Sequence, residues 1–383
     1  MVQFTAEQRM IQEMVRKLAR EKVAPRVQEV EETDEFPWDI VDVLGENGLL
    51  KIVLPEKYGG VNANTTTLCI VVEELARCAL FAAGIVVGTQ VVLKILIARG
   101  NEEQKNRFFG EVSRGNKIGA IAITEPNYGS NAANMQTKAV PEGDTYILNG
   151  TKCFISNGGV ADYYVVFART GPGEKAKGIS AFVVEKDTPG FKIGKREKKM
   201  GLRGSPTAEL IFEDARVPKA NLLLGEGDGW GILMEDGNML RIWGTGTTAL
   251  GIAQGALEHA VEYAKQRVQF DRPLSYFQAI QFKLADMAIE IEAARSLIYR
   301  VAATIDSGEK NFKVIEAMVA MAKCFASDVA MRVTTEAVQI FGGYGYMKDY
   351  PVERLMRDAK GHQIADGTNE IQRIVISRYL LQS

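Results

Sequence analysis

The stretch Asp366-Gly367-Thr368-Asn369-Glu370-Ile371-Gln372-Arg373, near the C-terminus, decides how the rest of the chain is read. A carboxylate stands two residues before a Thr, and Ile371, Ile374, Val375 and Tyr379 follow as an amphipathic run. That pattern predicts a helix with Thr368 as its N-cap. A helix start presents unpaired N–H groups and the positive end of the dipole, so it suits an anion such as a phosphate. The carboxylate just outside it could be held over whatever the anion belongs to. An acidic turn ahead of an ordinary helix is the alternative, and the stretch alone leaves both open.

Working outward, the C-terminal third reads as more helix. Leu250, Ala253, Leu257, Val261 and Ala264 form one apolar stripe. Phe277, Leu284, Met287, Ile291, Leu297 and Val301 form a second, and Val314, Met318, Met321, Phe325, Val329 and Ile340 a third, stopped by Gly342-Gly343. With the helix after Thr368 that makes four, enough for an antiparallel bundle over 226–383. The middle, 116–225, has a different texture. Short β-rich runs alternate with turn residues: Tyr146–Leu148 before Asn149-Gly150, Tyr163–Phe167 before Thr170-Gly171-Pro172-Gly173, and Phe182–Val184 before Pro189-Gly190. Asn-Gly after such a run predicts a hairpin turn. Residues 1–115 read as helical again, with Ile40, Val43 and Leu44 and then Leu68, Val71, Val72 and Leu75 at helical spacing, and a loop at Pro55 and Gly59-Gly60. The order is therefore α, β, α.

Composition bounds the function. The chain has 383 residues, more than one core accommodates. With 46 basic and 48 acidic residues there is no electrostatic reason to expect nucleic acid or an anionic membrane surface. Four cysteines (Cys69, Cys78, Cys153, Cys324) show no CxxC pairing and point to reduced thiols in a cytosol-like compartment. The N-terminus has Glu7 and Glu13 among its basic residues, unlike a signal or transit peptide. The most apolar window, Gly84–Ile97, is short for a membrane span and contains Lys94. A cytoplasmic, bacterial setting without membrane insertion is the expectation. Two histidines, His259 and His362, disfavour a His-rich metal site or a His-based triad, and no metal is expected. There is no P-loop and no GxGxxG between a strand and a helix.

The terminal stretch is not isolated. Ile121-Ala122-Ile123-Thr124-Glu125-Pro126 with Gly129-Ser130, then Phe154-Ile155-Ser156-Asn157-Gly158-Gly159, Gln266-Arg267-Val268-Gln269-Phe270, and Gln339-Ile340-Phe341-Gly342-Gly343-Tyr344-Gly345 precede it in that order. Together these five segments resemble the acyl-CoA dehydrogenase family over nearly the whole chain. The resemblance implies an N-terminal helical domain, a barrel-like middle β domain and a C-terminal four-helix bundle. It implies FAD between the middle domain and the bundle, with a neighbouring subunit completing the site, in a homotetramer. Ile121, Ile123, Thr124, Ser130, Phe154 and Ser156 would touch the flavin. Arg267, Gln269, Phe270, Gln339, Gly342 and Gly343 would meet the dinucleotide, with Thr368 and Glu370. Ser130, Arg241, Ala365 and Gly367 would touch the substrate. Read without the family, Thr124 and Ser156 are ordinary strand residues and Arg267 a solvated helix-end Arg.

The resemblance makes Asp366 the base that removes the α-proton of an acyl thioester while the β-hydride passes to the flavin. The thioester oxygen would meet the Asp366 N–H and a flavin ribityl hydroxyl, and an electron-transfer flavoprotein would accept the electrons. An apolar pocket around Asp366 is expected to favour its proton-accepting role. The family pattern at this position is mostly Glu after a large aromatic, whereas here Asp follows Ala365. The carboxylate retreats by roughly 1.3 Å, one bond projected along the side chain. A short base beside a small residue suits a bulky or cyclic acyl group such as cyclohexane-1-carboxyl. A straight-chain dehydrogenase, an acyl-CoA oxidase, an enoyl-CoA reductase and a non-catalytic flavin-binding paralogue remain alternatives. A second family branch carries its base beside the Arg that matches Arg241. Here that neighbour is Leu240, the run Arg241–Gly251 is one residue longer than usual, and Glu235 and Asp236 are the nearest carboxylates.

Overall fold

The computed structural model describes residues 3–171 and 175–382. Six helices come first: α1 (Ala6–Leu18), α2 (Val27–Thr33), α3 (Trp38–Glu46), α4 (Thr65–Cys78), α5 (Leu80–Arg99) and α6 (Glu102–Arg114). Helix α5 is longer than the apolar window inside it. By length and composition it could cross a membrane, but 72% of its apolar window is buried within the protein, and it serves as the core helix of the N-terminal half.

Eight strands follow: β1 (Gly119–Ala122), β2 (Lys138–Glu142), β3 (Thr145–Ser156), β4 (Tyr163–Arg169), β5 (Ile179–Glu185), β6 (Phe191–Arg196), β7 (Thr207–Pro218) and β8 (Leu222–Leu223). They form one sheet in the order β6-β7-β3-β2-β4-β5-β8, with β1 parallel to β4. A single parallel pair, Lys138 with Arg169, joins the two antiparallel halves. The hairpin expected at Asn149-Gly150 does not form. Strand β3 runs straight through it, with a register shift against β7 at that point. Asn149 exchanges hydrogen bonds with Asp214 across the sheet, and Gly150 is needed because its φ is +148° and a Cβ would meet Thr137 Oγ1 at 2.6 Å. Asn-Gly marks a bulge here, and the turn lies earlier, at Gly143-Asp144. Part of the expected turn at 170–173 lies outside the described residues.

Five further helices complete the C-terminal half after a short α7 (Gly229–Ile232): α8 (Thr247–Gln266), α9 (Gln278–Asp306), α10 (Phe312–Phe341), α11 (Pro351–His362) and α12 (Asn369–Gln382). Between α7 and α8 the chain winds through two π turns, Leu233–Gly237 and Arg241–Gly246. Helix α11 carries no long apolar stripe, which is why periodicity passes over it. It docks instead through buried Arg354 and Asp358, with Val352 and Leu355 beneath. On α10 the buried stripe is Ile315, Val319, Ala322, Ala326 and Val329, while Phe325 of the expected stripe is 36% exposed. Helix α12 departs from expectation further: its only buried side chains are Asn369 and Gln372, while Ile371, Val375 and Tyr379 of the apolar run are half-buried and Ile374 is exposed.

Candidate active site

Thr368 caps α12, its Oγ1 accepting from the N–H of Ile371 (3.4 Å), while its carbonyl accepts from Gln372 (2.9 Å). Ahead of it, α11 ends at His362 and the chain turns through Asp366 (φ +54°) and Gly367 (φ +85°). Asp tolerates the left-handed region because its short polar side chain clashes little. Gly367 is required, because a Cβ there would sit 2.8 Å from Gln372 Nε2. Each carbonyl of this turn is held. Arg241 Nε donates to the Asp366 carbonyl at 2.8 Å, and the Gly367 carbonyl accepts from Lys323 Nζ (2.9 Å) and Gln372 Nε2 (2.8 Å). The Asp366 carboxylate accepts a hydrogen bond from the hydroxyl of Thr245. Among the described residues no protein acceptor pairs with the Asp366 N–H, so that donor is free. Asp366 and Ala365 are exposed, and this chain's own residues do not form the apolar enclosure expected around the carboxylate.

Buried Lys323 and Asn369 anchor the turn to α10. Lys323 Nζ also donates to Asn369 Oδ1 (2.9 Å), and Asn369 Nδ2 donates to Ser327 Oγ and Asp328 Oδ1. Burial pushes Lys323 down to about 8, with Asp366 pulling the other way. Neither Lys323, Asn369 nor Thr245 was singled out in the sequence. Asn369, polar in the first turn of a helix, is the one a closer reading could have found. His362 is buried and held by burial near 4, with Nδ1 against the Asp358 carbonyl, so it is structural. Glu235 and Asp236 are tied to Arg99, which removes them as bases near Arg241. The carboxylate of Glu370 is held below its ordinary value by its own backbone N–H and by Thr368. The anion nearest this helix start is therefore the chain's own.

The two middle segments meet. Thr124 O accepts from Cys153 N (2.9 Å), which sets Ile121–Thr124 against the end of β3. There a second register shift leaves Phe154 at φ +58° and 64% exposed, with Ser156 also exposed. A bulky residue with positive φ is a genuine outlier, and such strain collects at functional surfaces. Beneath lies a buried ion pair, Lys152 Nζ to Glu125 Oε1 at 2.8 Å, with Lys152 also reaching the Ile123 carbonyl. Burial pushes Lys152 down to about 8 against the pull of Glu125. Glu125 ends below its ordinary value: burial raises it, but Lys152 and the N–H groups of Thr137 and Gln136 outweigh that. Ser130 is exposed in the loop this pair organises. Consecutive residues of α5 connect this surface to the Asp366 turn. A Cβ on Gly88 would touch Asn157 and Gly119, and one on Gly244 of the π turn would touch Val87.

The two dinucleotide segments also meet, but elsewhere. Arg267 and Gln269 line a cleft of about 570 Å³ with Tyr263, Phe341, Gly342, Gly343 and Tyr344. Open space surrounds both glycines, and Arg267 stacks over the Tyr344 ring (5.2 Å). Next to it Phe270 (φ +50°, 85% exposed) and Asp271 (φ +62°) make a tight turn, and Gln339 is exposed nearby. A guanidinium, an amide and aromatic walls suit the pyrophosphate and ring faces of a dinucleotide such as FAD. This cleft lies at the far end of α10, about 27 Å from Lys323 at 1.5 Å per residue. The expected site residues thus fall into two groups, one at the middle of α10 and one at its C-terminal end.

Three family models match the chain: "Acyl-CoA dehydrogenase, N-terminal domain" over residues 5–116, "middle domain" over 120–215 and "C-terminal domain" over 227–381. An acyl-CoA dehydrogenase of Bacillus subtilis is 52% identical over 98% of each chain. The cyclohex-1-ene-1-carbonyl-CoA dehydrogenase of Geobacter metallireducens is 45% identical over the full length of both. Among solved structures, butyryl-CoA dehydrogenase from Megasphaera elsdenii superposes with a TM-score of 0.95 at 44% identity, covering all of both chains. A chain in a structure of the electron transferring flavoprotein of Acidaminococcus fermentans superposes with a TM-score of 0.96 at 47% identity, again over all of both.

Proposed function

This chain belongs to the acyl-CoA dehydrogenase family, and from that premise we propose that it oxidises a cyclic or branched acyl-CoA at the α,β-bond with Asp366 as the base. The chain is an FAD-dependent oxidoreductase. The observation that carries the assignment of Asp366 is its setting: its own carbonyl and that of Gly367 are fixed by Arg241, Lys323 and Gln372 while its own N–H stays free. A thioester oxygen hydrogen-bonded to that N–H would bring the neighbouring α-carbon to the carboxylate and support the developing enolate charge. FAD, when bound, supplies the ring that takes up the electrons. Thr124, Phe154 and Ser156 would hold its ring, and Arg267, Gln269 and the Gly342-Gly343 turn the rest.

The cleft at the C-terminal end of α10 is too far from the Asp366 turn, anchored at Lys323, for one chain's cleft to serve its own turn comfortably. That separation supports a homo-oligomer, a homotetramer on this reading, in which one chain's cleft completes a neighbour's site. The exposed apolar residues Phe282, Ile289, Leu380 and Leu381 support it too. The Acidaminococcus comparison supports an electron-transfer flavoprotein as acceptor. The named relatives are bacterial, which supports a bacterial setting. The cyclic substrate rests on Asp366 next to Ala365 and on the Geobacter relative. The Megasphaera structure favours a second reading, a short straight-chain substrate.

Anaerobic titration of the purified yellow protein with butyryl-, octanoyl- and cyclohexane-1-carboxyl-CoA, followed by flavin absorbance, separates these. Higher kcat/KM for the cyclic thioester is expected. Asp366→Asn should keep FAD and thioester binding and lose roughly a hundredfold or more in flavin reduction. A preference for a straight chain would replace the cyclic reading, and near-normal reduction by Asp366→Asn would move the base elsewhere.

A further inference from the structure

The π turn Arg241–Gly246 supplies two of the groups that hold Asp366. Arg241 takes its main-chain carbonyl, and Thr245 reaches its carboxylate at Oδ2. We propose that Thr245 is a positioning residue for the base. Its hydroxyl would hold one carboxylate oxygen of Asp366 so that the other, Oδ1, faces the α-carbon. The π turn, wider by one residue than an α turn, would be the device that delivers it. This rests on the reading of Asp366 as the base.

Three observations carry it. First, the geometry is built. Thr245 is 5% exposed, and its turn is wedged between two helices. A Cβ on Gly244 would meet Val87 of α5 at 3.2 Å, and one on Gly246 would lie 3.6 Å from Lys323 Cα on α10. The turn has little room to shift, so the hydroxyl is presented at a fixed point. Second, the π turn is real in its bonding: the backbone N–H of Thr247 donates to the Ile242 carbonyl five residues back, and the Thr247 hydroxyl donates to the same carbonyl at 2.7 Å. An i→i+5 turn takes up one more residue than an α turn. The extra residue in the run Arg241–Gly251 can therefore be absorbed before α8 begins, without rotating α8. Third, the partner is matched in length. The carboxylate of Asp sits about one bond closer to its backbone than that of Glu, and a Glu at 366 would carry its oxygens past Thr245.

The chemistry is a single proton transfer. The α-C–H bond breaks, the proton goes to Asp366 Oδ1, and the electron pair enters the thioester as an enolate. Thr245 keeps its proton throughout and donates a charge-assisted hydrogen bond to Oδ2. Its contribution is orientation, since a small misplacement of a reacting group costs a large factor in rate.

The test uses the FAD-loaded full chain and the probes butyryl-CoA and cyclohexane-1-carboxyl-CoA, in anaerobic rapid mixing. Thr245→Val keeps the shape and removes the hydroxyl. It should slow flavin reduction roughly tenfold to a hundredfold with little change in the concentration for half-saturation or in FAD content. Thr245→Ser should recover most of the rate, because the donor returns. In an Asp366→Glu background, Thr245→Val should change little, since the coupling is lost. Deuterium uptake from D₂O at the α-carbon of acetyl-CoA, which has no β-hydrogen to lose, should follow the same order. A Thr245→Val enzyme as fast as wild type, or a Ser variant no better than Val, overturns the positioning role while Asp366→Asn still reports on the base. Near-normal reduction by Asp366→Asn instead overturns the reading beneath it. A wild type that neither bleaches with the two thioesters nor exchanges acetyl-CoA sinks both.

Discussion

Lys152 in the middle sheet and Lys323 in the bundle are both completely withdrawn from water, one bonded to the Ile123 carbonyl and the other to the Gly367 carbonyl. Their surroundings differ. Lys152 answers a carboxylate, Glu125, and the pair ties the loop Ile123–Thr137 to β3. Lys323 makes its hydrogen bonds to neutral oxygens, the Gly367 carbonyl and Asn369 Oδ1, although Asp366 is close enough to act on its charge. The sheet side neutralises its cation with an ion, while the bundle side solvates its cation with dipoles. Among the described residues, this leaves Asp366 without a direct salt bridge, bonded through its side chain to Thr245 alone. A carboxylate locked to a lysine would be a poor proton acceptor.

Four experiments break or sharpen that contrast. The largest effect is expected at Lys152. Lys152→Met strands a buried carboxylate, and breaking a buried pair costs on the order of 3–5 kcal/mol. The thermal midpoint of the holoenzyme should fall steeply, and adding Glu125→Gln should recover part of it. A neutral Lys152→Met would mean that the two sides are not different in kind. Next is Lys323→Met, which removes a charged donor from neutral acceptors and should cost less, roughly 1.5–3 kcal/mol. Its signature lies in rate: flavin reduction should suffer more than FAD binding, because the Gly367 carbonyl keeps only Gln372 of its two anchors. Equal stability losses in the two variants would erase the contrast.

The third is linkage. Lys323 is held near 8 in the folded chain, against an ordinary value of 10.5. Between those values the unfolded chain binds more protons, so stability should rise with pH from about 8 to 10.5. Urea unfolding at pH 7.5 and 9.5 should show that rise in wild type and a smaller one in Lys323→Met; an unchanged slope would count against the buried charge. The smallest effect is at His362, held by burial near 4 instead of 6.5, with Lys323 adding to the depression. Stability should decline as pH falls from 6.5 toward 4, and His362→Gln should flatten that decline. An identical acid profile in the variant would remove His362 from the bundle's account.

Local pattern carried a good deal of this molecule. The helix start at Thr368 follows from one hydroxyl three residues from the N–H it accepts from. The strand runs at Tyr163–Phe167 and Phe182–Val184 lie inside β4 and β5. Where local pattern failed, a partner distant in sequence had overridden it. Asn149-Gly150 looks like a turn, but Asp214 on the neighbouring strand turns it into a bulge. Helix α11 escapes periodicity because it docks through the Arg354–Asp358 pair as well as apolar side chains. The buried side chains of α12 are polar, because Asn369 bonds to Lys323, Ser327 and Asp328 of α10 and Gln372 to the Gly367 carbonyl.

By itself the sequence determined the α, β, α order and the five segments that name the family, since hydrophobic period, caps and motif residues act over a few neighbours. Only the tertiary structure decided which side chains meet at Asp366. Thr245 reaches Asp366 across 121 positions and Lys323 reaches Gly367 across 44. No periodicity encodes such a pairing, because a hydrogen bond between distant segments depends on how whole helices pack, and packing is settled by the sum of all contacts at once.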